Sequence, residues 1–123
     1  MSSFVISTIL QVVVSLGLLN VWLVRARTST AYRGGSAQSL KEEFAAYGLP
    51  DWSFYLVGAL KVGSAILLVI GIWVPELIRP PAIIVAVLMI GALAMHAKVK
   101  DPLTKSVPAL LILLMVVAIV LLQ

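Results

Sequence analysis

Residues Phe4 to Val24 read FVISTILQVVVSLGLLNVWLV, 21 positions without one charged side chain. As a helix rising about 1.5 Å per residue, the run reaches roughly 31 Å, the hydrocarbon thickness of a bilayer. It can span a membrane unaided. A secretory signal would need a basic leading segment and a small-residue cleavage site. Met-Ser-Ser offers no base, and no such site precedes Arg25. The run is therefore expected to stay in the mature protein.

The composition extends that reading to the whole chain. Of 123 residues, 62% are apolar and 11% charged, against about 45–50% and about 25% in ordinary soluble domains. A chain this short has too little interior to hide so many apolar side chains from water, so lipid is the expected solvent for most of its surface. The absence of cysteine excludes disulfides, thiolate metal sites and thiol exchange by the chain itself. No metal-ligand spacing, phosphate-binding glycine loop or nucleophile elbow occurs.

Three further apolar runs follow, at 53–74, 80–97 and 104–122. The second contains one charge, Lys61, and closes on Trp73 and Pro75, an interfacial aromatic followed by a helix stop. Trp52 and Tyr55 mark its other end. The third opens on Pro80-Pro81, tolerated where first-turn amides have no helical partner. The fourth follows Asp101-Pro102. The pattern predicts an all-α integral membrane protein, a four-helix transmembrane bundle forming a single membrane domain over residues 1–123.

Between spans one and two lies the one sizeable polar segment, Arg25 to Asp51. Arg33-Gly34-Gly35-Ser36 reads as a turn and Ser39-Leu40-Lys41-Glu42 as a capping box. Leu40, Phe44 and Tyr47 then share one face of a short amphipathic helix ended by Gly48-Leu49-Pro50. This helix is expected along the membrane surface or against the bundle mouth, with a flexible loop as the alternative.

Basic residues set an orientation. The connections after spans one and three hold Arg25, Arg27, Arg33 and Lys41, then Lys98, Lys100 and Lys105, whereas the opposite side has Arg79. By the positive-inside rule, loops 25–51 and 98–105 are cytoplasmic and both termini lie outside. The net charge of +4 is thereby explained without nucleic acid, and the bilayer is the first partner.

Lys61 is the residue of first interest. It lies about 12 Å along its span from Ser53, and a buried lysine is costly and tends to face a bundle interior or a cavity. Gly58, Ser64 and Ala65 fall within about 60° of it on a helical wheel. Two readings stay open: an interior position, and snorkelling to the headgroups. His96 ends the third span on the same side, with Met89, Ala92 and Leu93 on its face, and Asn20 lies near the end of the first. Asp51 and Asp101 flank that mouth as candidate carboxylates for His96 or Lys61. Lys61, His96, Asn20 and Asp101 thus form a candidate polar ligand pocket, with no metal. Thr8, Gln11 and Ser15 make a separate polar stripe expected to face another helix, and Asn20 lies about 140° away from it. Ala59 with Gly63, and Ala82 with Ala86, have the small-residue spacing of close helix packing.

The pattern Tyr55-Leu-Val-Gly58-Ala-Leu-Lys61-Val-Gly63, running on to Ile70-Gly71-Ile72-Trp73-Val74-Pro75, resembles the second span of the DoxX and DoxX-like membrane proteins. So does the approach Tyr47-Gly48-Leu49-Pro50. Gly91-Ala-Leu-Ala-Met95-His96, then Lys98-Val-Lys-Asp101-Pro102 and Pro108-Ala109, look like the corresponding region of the DoxX-like branch. The resemblance implies a small four-helix protein of the bacterial inner membrane. Many members have glutamate where this chain has Lys61. Some relatives are linked to sulfur or thiol oxidation and quinone-associated complexes, and a distant animal branch assists receptor assembly. For a chain without cysteine, a redox link implies that a partner or a bound quinone-like molecule carries the electrons.

These readings lead to an accessory subunit or a bundle that binds a small hydrophobic molecule, quinone-like being one class, in redox or sulfur metabolism. The alternatives are a small dimeric transporter or exporter and a membrane chaperone or assembly factor, with a homodimer or another membrane protein as partner. An enzyme in its own right, using Lys61 and His96 as base and acid, ranks behind these.

Overall fold

Ser2 starts the first helix from an extended conformation, its hydroxyl accepting the amide of Val5 at 3.2 Å and so satisfying one of the free amides of a helix start. The computed structural model describes residues 2–28 and 30–123. Helix α1 runs Ser3–Leu19 and continues as a π-helical turn over Asn20–Val24, closed by the Arg25 amide on the Asn20 carbonyl at 2.8 Å. Then come α2 (Leu40–Ala46), α3 (Asp51–Ile70), α4 (Arg79–Lys98) and α5 (Val107–Leu121). Short 3-10 turns over Pro75–Leu77 and Leu103–Ser106 lead into α4 and α5. With these turns included, four segments of 22, 20, 24 and 19 residues are long and apolar enough to cross a bilayer.

Two boundaries differ by three residues or more from those read in the sequence. The second span stops being helical at Ile70 rather than Val74, and Val74 is extended, with φ −125° and ψ 83°. Pro75 accounts for Val74, because its ring drives the preceding residue out of the helical region, and between them the turn tightens, with the Ile72 amide on the Val69 carbonyl and that of Trp73 on Ile70. The α-helix of the fourth span starts at Val107, because Leu103–Ser106 winds more tightly.

The spanning helices form an antiparallel ring in which α1 packs on α3, α3 on α4, α4 on α5 and α5 back on α1. Lipid tails are as apolar as leucine, so packing and inter-helix hydrogen bonds must hold such a ring together. Gln11 Nε2 donates to the Leu68 carbonyl at 2.9 Å, and the Ser15 hydroxyl to the Ala65 carbonyl at 3.0 Å. Thr8, expected beside them, instead bonds the Phe4 carbonyl of its own helix, and Ser7 takes the place, bonding Gln11 at 3.0 Å. Gln123 donates to Ser7 at 2.8 Å, closing α5 on α1 at the end where both termini lie.

Val14, Leu68, Val85, Val116 and Ile119 fill the centre and are fully buried. The outer surface is apolar at mid-span: Leu16 is 64% exposed, Val87 62% and Leu114 57%, side chains that call for lipid rather than water. Ala82 lies in the core and Ala86 packs against it. Ala59 is exposed, and a Cβ at Gly63 would meet nothing within 4 Å, so that pair is not a seam within the chain.

Helix α2 is fixed against the bundle mouth. Ser39 accepts the Glu42 amide at 3.2 Å and its hydroxyl donates to the Glu42 carboxylate at 3.2 Å, a variant of the expected capping box. Leu40, Phe44 and Tyr47 are buried as one face. Phe44 and Phe54 cluster with Trp22, their ring centroids 5.9 and 5.2 Å from its own and 5.6 Å from each other, in edge-on and tilted geometries favoured by aromatic pairs.

Candidate functional site

Where α4 ends, the chain makes a helix-terminating turn that returns it onto His96. Lys100 is left-handed at φ 59°, its amide bonds the Ala97 carbonyl at 3.1 Å, and the Asp101 amide reaches the His96 carbonyl at 3.0 Å. This pair of bonds is the Schellman motif, here with lysine in the position that usually holds glycine. It delivers Asp101 Oδ2 to His96 Nδ1 at 2.7 Å. The other oxygen of Asp101 accepts the Gly35 amide at 3.0 Å and lies 3.6 Å from Lys105 Nζ. Lys105 donates to the Gly35 carbonyl at 2.7 Å, and Lys98 to the Tyr47 carbonyl at 2.7 Å. The α4–α5 turn thereby clasps the 25–51 segment.

On the other side of His96 stands Glu43. Its Oε1 accepts the Tyr47 hydroxyl at 2.5 Å and lies 4.0 Å from His96 Nε2, too far for a hydrogen bond. Its Oε2 is 3.6 Å from Arg33 Nη1. Arg33 also donates to the carbonyls of Arg25 and Thr28, joining α2 to the end of α1. The Tyr47 ring lies across Gly34, where a Cβ would collide with it. Burial, followed by the bond to Glu43 and its charge, drives the Tyr47 phenol far above its usual pKa, so it remains a donor. Burial alone would raise Asp101, but the bonds from His96 and Gly35, with the charges of Lys105 and His96, outweigh it and hold the carboxyl below its ordinary value.

Beside this network is a cleft of about 520 Å³ between α1, α3, α4 and α5, within the roughly 300–1,000 Å³ range of small-molecule sites. Its apolar half is lined by Val13, Gly17, Leu111, Ile112 and Met115, and its polar half by Asn20, Arg33, Glu43, Lys61 and His96. Trp22 forms part of the wall, seated on Gly58, where a Cβ would fall 2.6 Å from the indole ring. Lys61 is half-buried, with Nζ 5.6 Å from the centroid of the Trp22 ring, a cation–π contact. Two lining residues carry a buried N–H with no acceptor among the described residues: the indole of Trp22 and Nε of Arg33.

Three of the four residues singled out in the sequence, Asn20, Lys61 and His96, therefore line one cleft, and the fourth, Asp101, supports His96 from behind. Asn20 is exposed at the rim. Asp51 is exposed, and its side chain takes no part in the hydrogen bonds or ion pairs of the described residues. Glu43, Tyr47 and Arg33 were not anticipated as site residues. Glu43 did carry a signal, since it falls at the third position after Leu40 on the apolar face of α2. No cluster of metal-ligand side chains is present among the described residues.

Four apolar helices around a polar-ended cleft define a small multi-pass membrane protein. The DoxX-like family model matches residues 9–120, nearly the whole chain, and the protein belongs to that family. No curated protein and no solved structure matches it.

Proposed function

We propose that the protein is a non-enzymatic membrane component whose cleft holds a small hydrophobic molecule, bound tail-first between α1 and α5 with its polar head at Lys61. The observation that carries this reading is the cleft itself, whose lining combines apolar side chains of α1 and α5 with Lys61, Asn20 and His96. Lys61 and Asn20 in that lining favour a head that accepts hydrogen bonds, as the carbonyl of a quinone-like molecule does. In a membrane complex the chain would act as an accessory subunit that keeps such a molecule beside a redox partner. The seven basic residues at the mouth favour a cytoplasmic mouth with both termini outside.

Mass spectrometry of the protein purified with its native lipids tests the binding. A small lipophilic molecule should be retained by wild type and depleted in Lys61→Met and His96→Ala; equal recovery from all three removes the pocket. For orientation, a cysteine-free chain allows single cysteines at Ser36 and Glu76. An impermeant maleimide added outside cells should label Glu76→Cys alone, and labelling of Ser36→Cys alone reverses the topology.

A further inference from the structure

The charges around the cleft do not balance. Arg33 faces Glu43 at 3.6 Å, Lys105 faces Asp101 at 3.6 Å, and Arg25 is exposed. Lys61 remains. No carboxylate lies within 4.0 Å of its Nζ among the described residues, and Glu43, the acid in the same wall, is already engaged by Tyr47 and Arg33. The contact with the Trp22 face at 5.6 Å contributes about 0.5–2 kcal/mol, a weak return for a cation held among apolar helices.

Shape supplies a second observation. Val13 and Leu111, which line the cleft from α1 and α5, are 45% and 53% exposed although both lie in apolar spans. The apolar half thus opens sideways, where lipid chains lie, while the polar half ends at Lys61.

We infer that the occupant is a lipophilic acid, a molecule whose chain enters between α1 and α5 and whose anionic head pairs with Lys61. This rests on the binding reading above, that the cleft holds a small hydrophobic molecule with its head at Lys61, and makes that head an anion in place of a neutral quinone-like carbonyl. A free fatty acid and an anionic phospholipid share this chemistry.

The test uses the full-length protein with Trp52→Phe and Trp73→Phe, which leaves Trp22 as the only indole of the original three. In phosphatidylcholine nanodiscs, its fluorescence is titrated with a bromine-tailed fatty acid and with the methyl ester of the same acid. The acid should quench Trp22 at a membrane mole fraction at least about tenfold lower than the ester, as a charge-assisted bond requires. Lys61→Arg should keep that preference and Lys61→Met abolish it. Displacement of the acid by unlabelled oleate alone identifies a free acid as the source, and displacement by phosphatidylglycerol a bilayer lipid; both support the inference. Equal quenching by acid and ester with Lys61 in place overturns it while leaving the binding reading intact. Quenching by neither removes both, and a folding failure of Lys61→Met leaves the acid–ester comparison decisive.

Discussion

Replacing Asp101 with alanine withdraws one acceptor from three donors: His96 Nδ1 at 2.7 Å, the Gly35 amide at 3.0 Å and Lys105 Nζ at 3.6 Å. The Asp101 side chain is 4% exposed and that of His96 6%, so the bond between them falls in the range of about 1.5–3 kcal/mol for buried bonds to charge. The Gly35 bond lies on an exposed turn and contributes about 1 kcal/mol. Lys105, with its side chain 21% exposed, adds less than about 1 kcal/mol. Asp101→Ala should therefore cost about 3–4 kcal/mol in equilibrium unfolding from mixed micelles. Because the lost bonds clasp the 25–51 segment, amides over 33–47 should exchange about a hundredfold faster, the factor that about 3 kcal/mol of local opening implies. The same contribution is pH-dependent. A carboxyl held below its ordinary value stabilises fully above the unfolded-chain pKa of about 3.9 and loses that stabilisation as pH falls through the folded value. The wild-type and Asp101→Ala stability curves should converge at acid pH. A loss under about 1 kcal/mol, with exchange over 33–47 unchanged, would refute the clasp.

Gly58→Ala places a methyl 2.6 Å from a Trp22 ring already backed by Phe44 and Phe54; the overpacking should cost about 1–3 kcal/mol and shift Trp22 emission, and an unshifted spectrum would show that the indole does not rest there. Gln11→Leu keeps the volume but removes the bond to Leu68; bonds between membrane helices average about 0.6 and reach about 1.7 kcal/mol, so a loss above about 3 kcal/mol contradicts the packing described. Lys100→Gly relieves a left-handed side-chain-bearing residue and should raise stability by up to about 1 kcal/mol in the same unfolding assay; a decrease means that the lysine side chain contributes more than its backbone costs.

The spans and the α2 cap were legible because both rest on local pattern: uninterrupted apolar runs, prolines at helix starts, and a serine three residues before Glu42. The Gln11–Ser15 stripe was legible for the same reason, whereas Thr8 is exposed and bonds back to its own helix. Lys61 stood out as the single charge in an apolar run, though its contact with Trp22 needed the fold. Trp22 was within reach, since it follows Ser15 by seven residues and shares its face. The Glu43–His96–Asp101 arrangement was not. Glu43 and His96 are 53 positions apart in the chain, and the charges of the 25–51 segment read as solvated until the fold brought them onto α4. Arg33 shows the same limit: counted as a basic residue of a loop, it is buried and spans α2 and the end of α1.

An experimental structure of the protein isolated in its native lipids, with density resolved around Lys61, tests most directly whether the cleft is occupied. An elongated feature should lie between α1 and α5 and end within hydrogen-bonding distance of Lys61 Nζ, with that amine over the Trp22 ring. A Lys61 side chain extended into the headgroup layer, beside a cleft closed by Val13, Ile112 and Met115, would contradict that expectation.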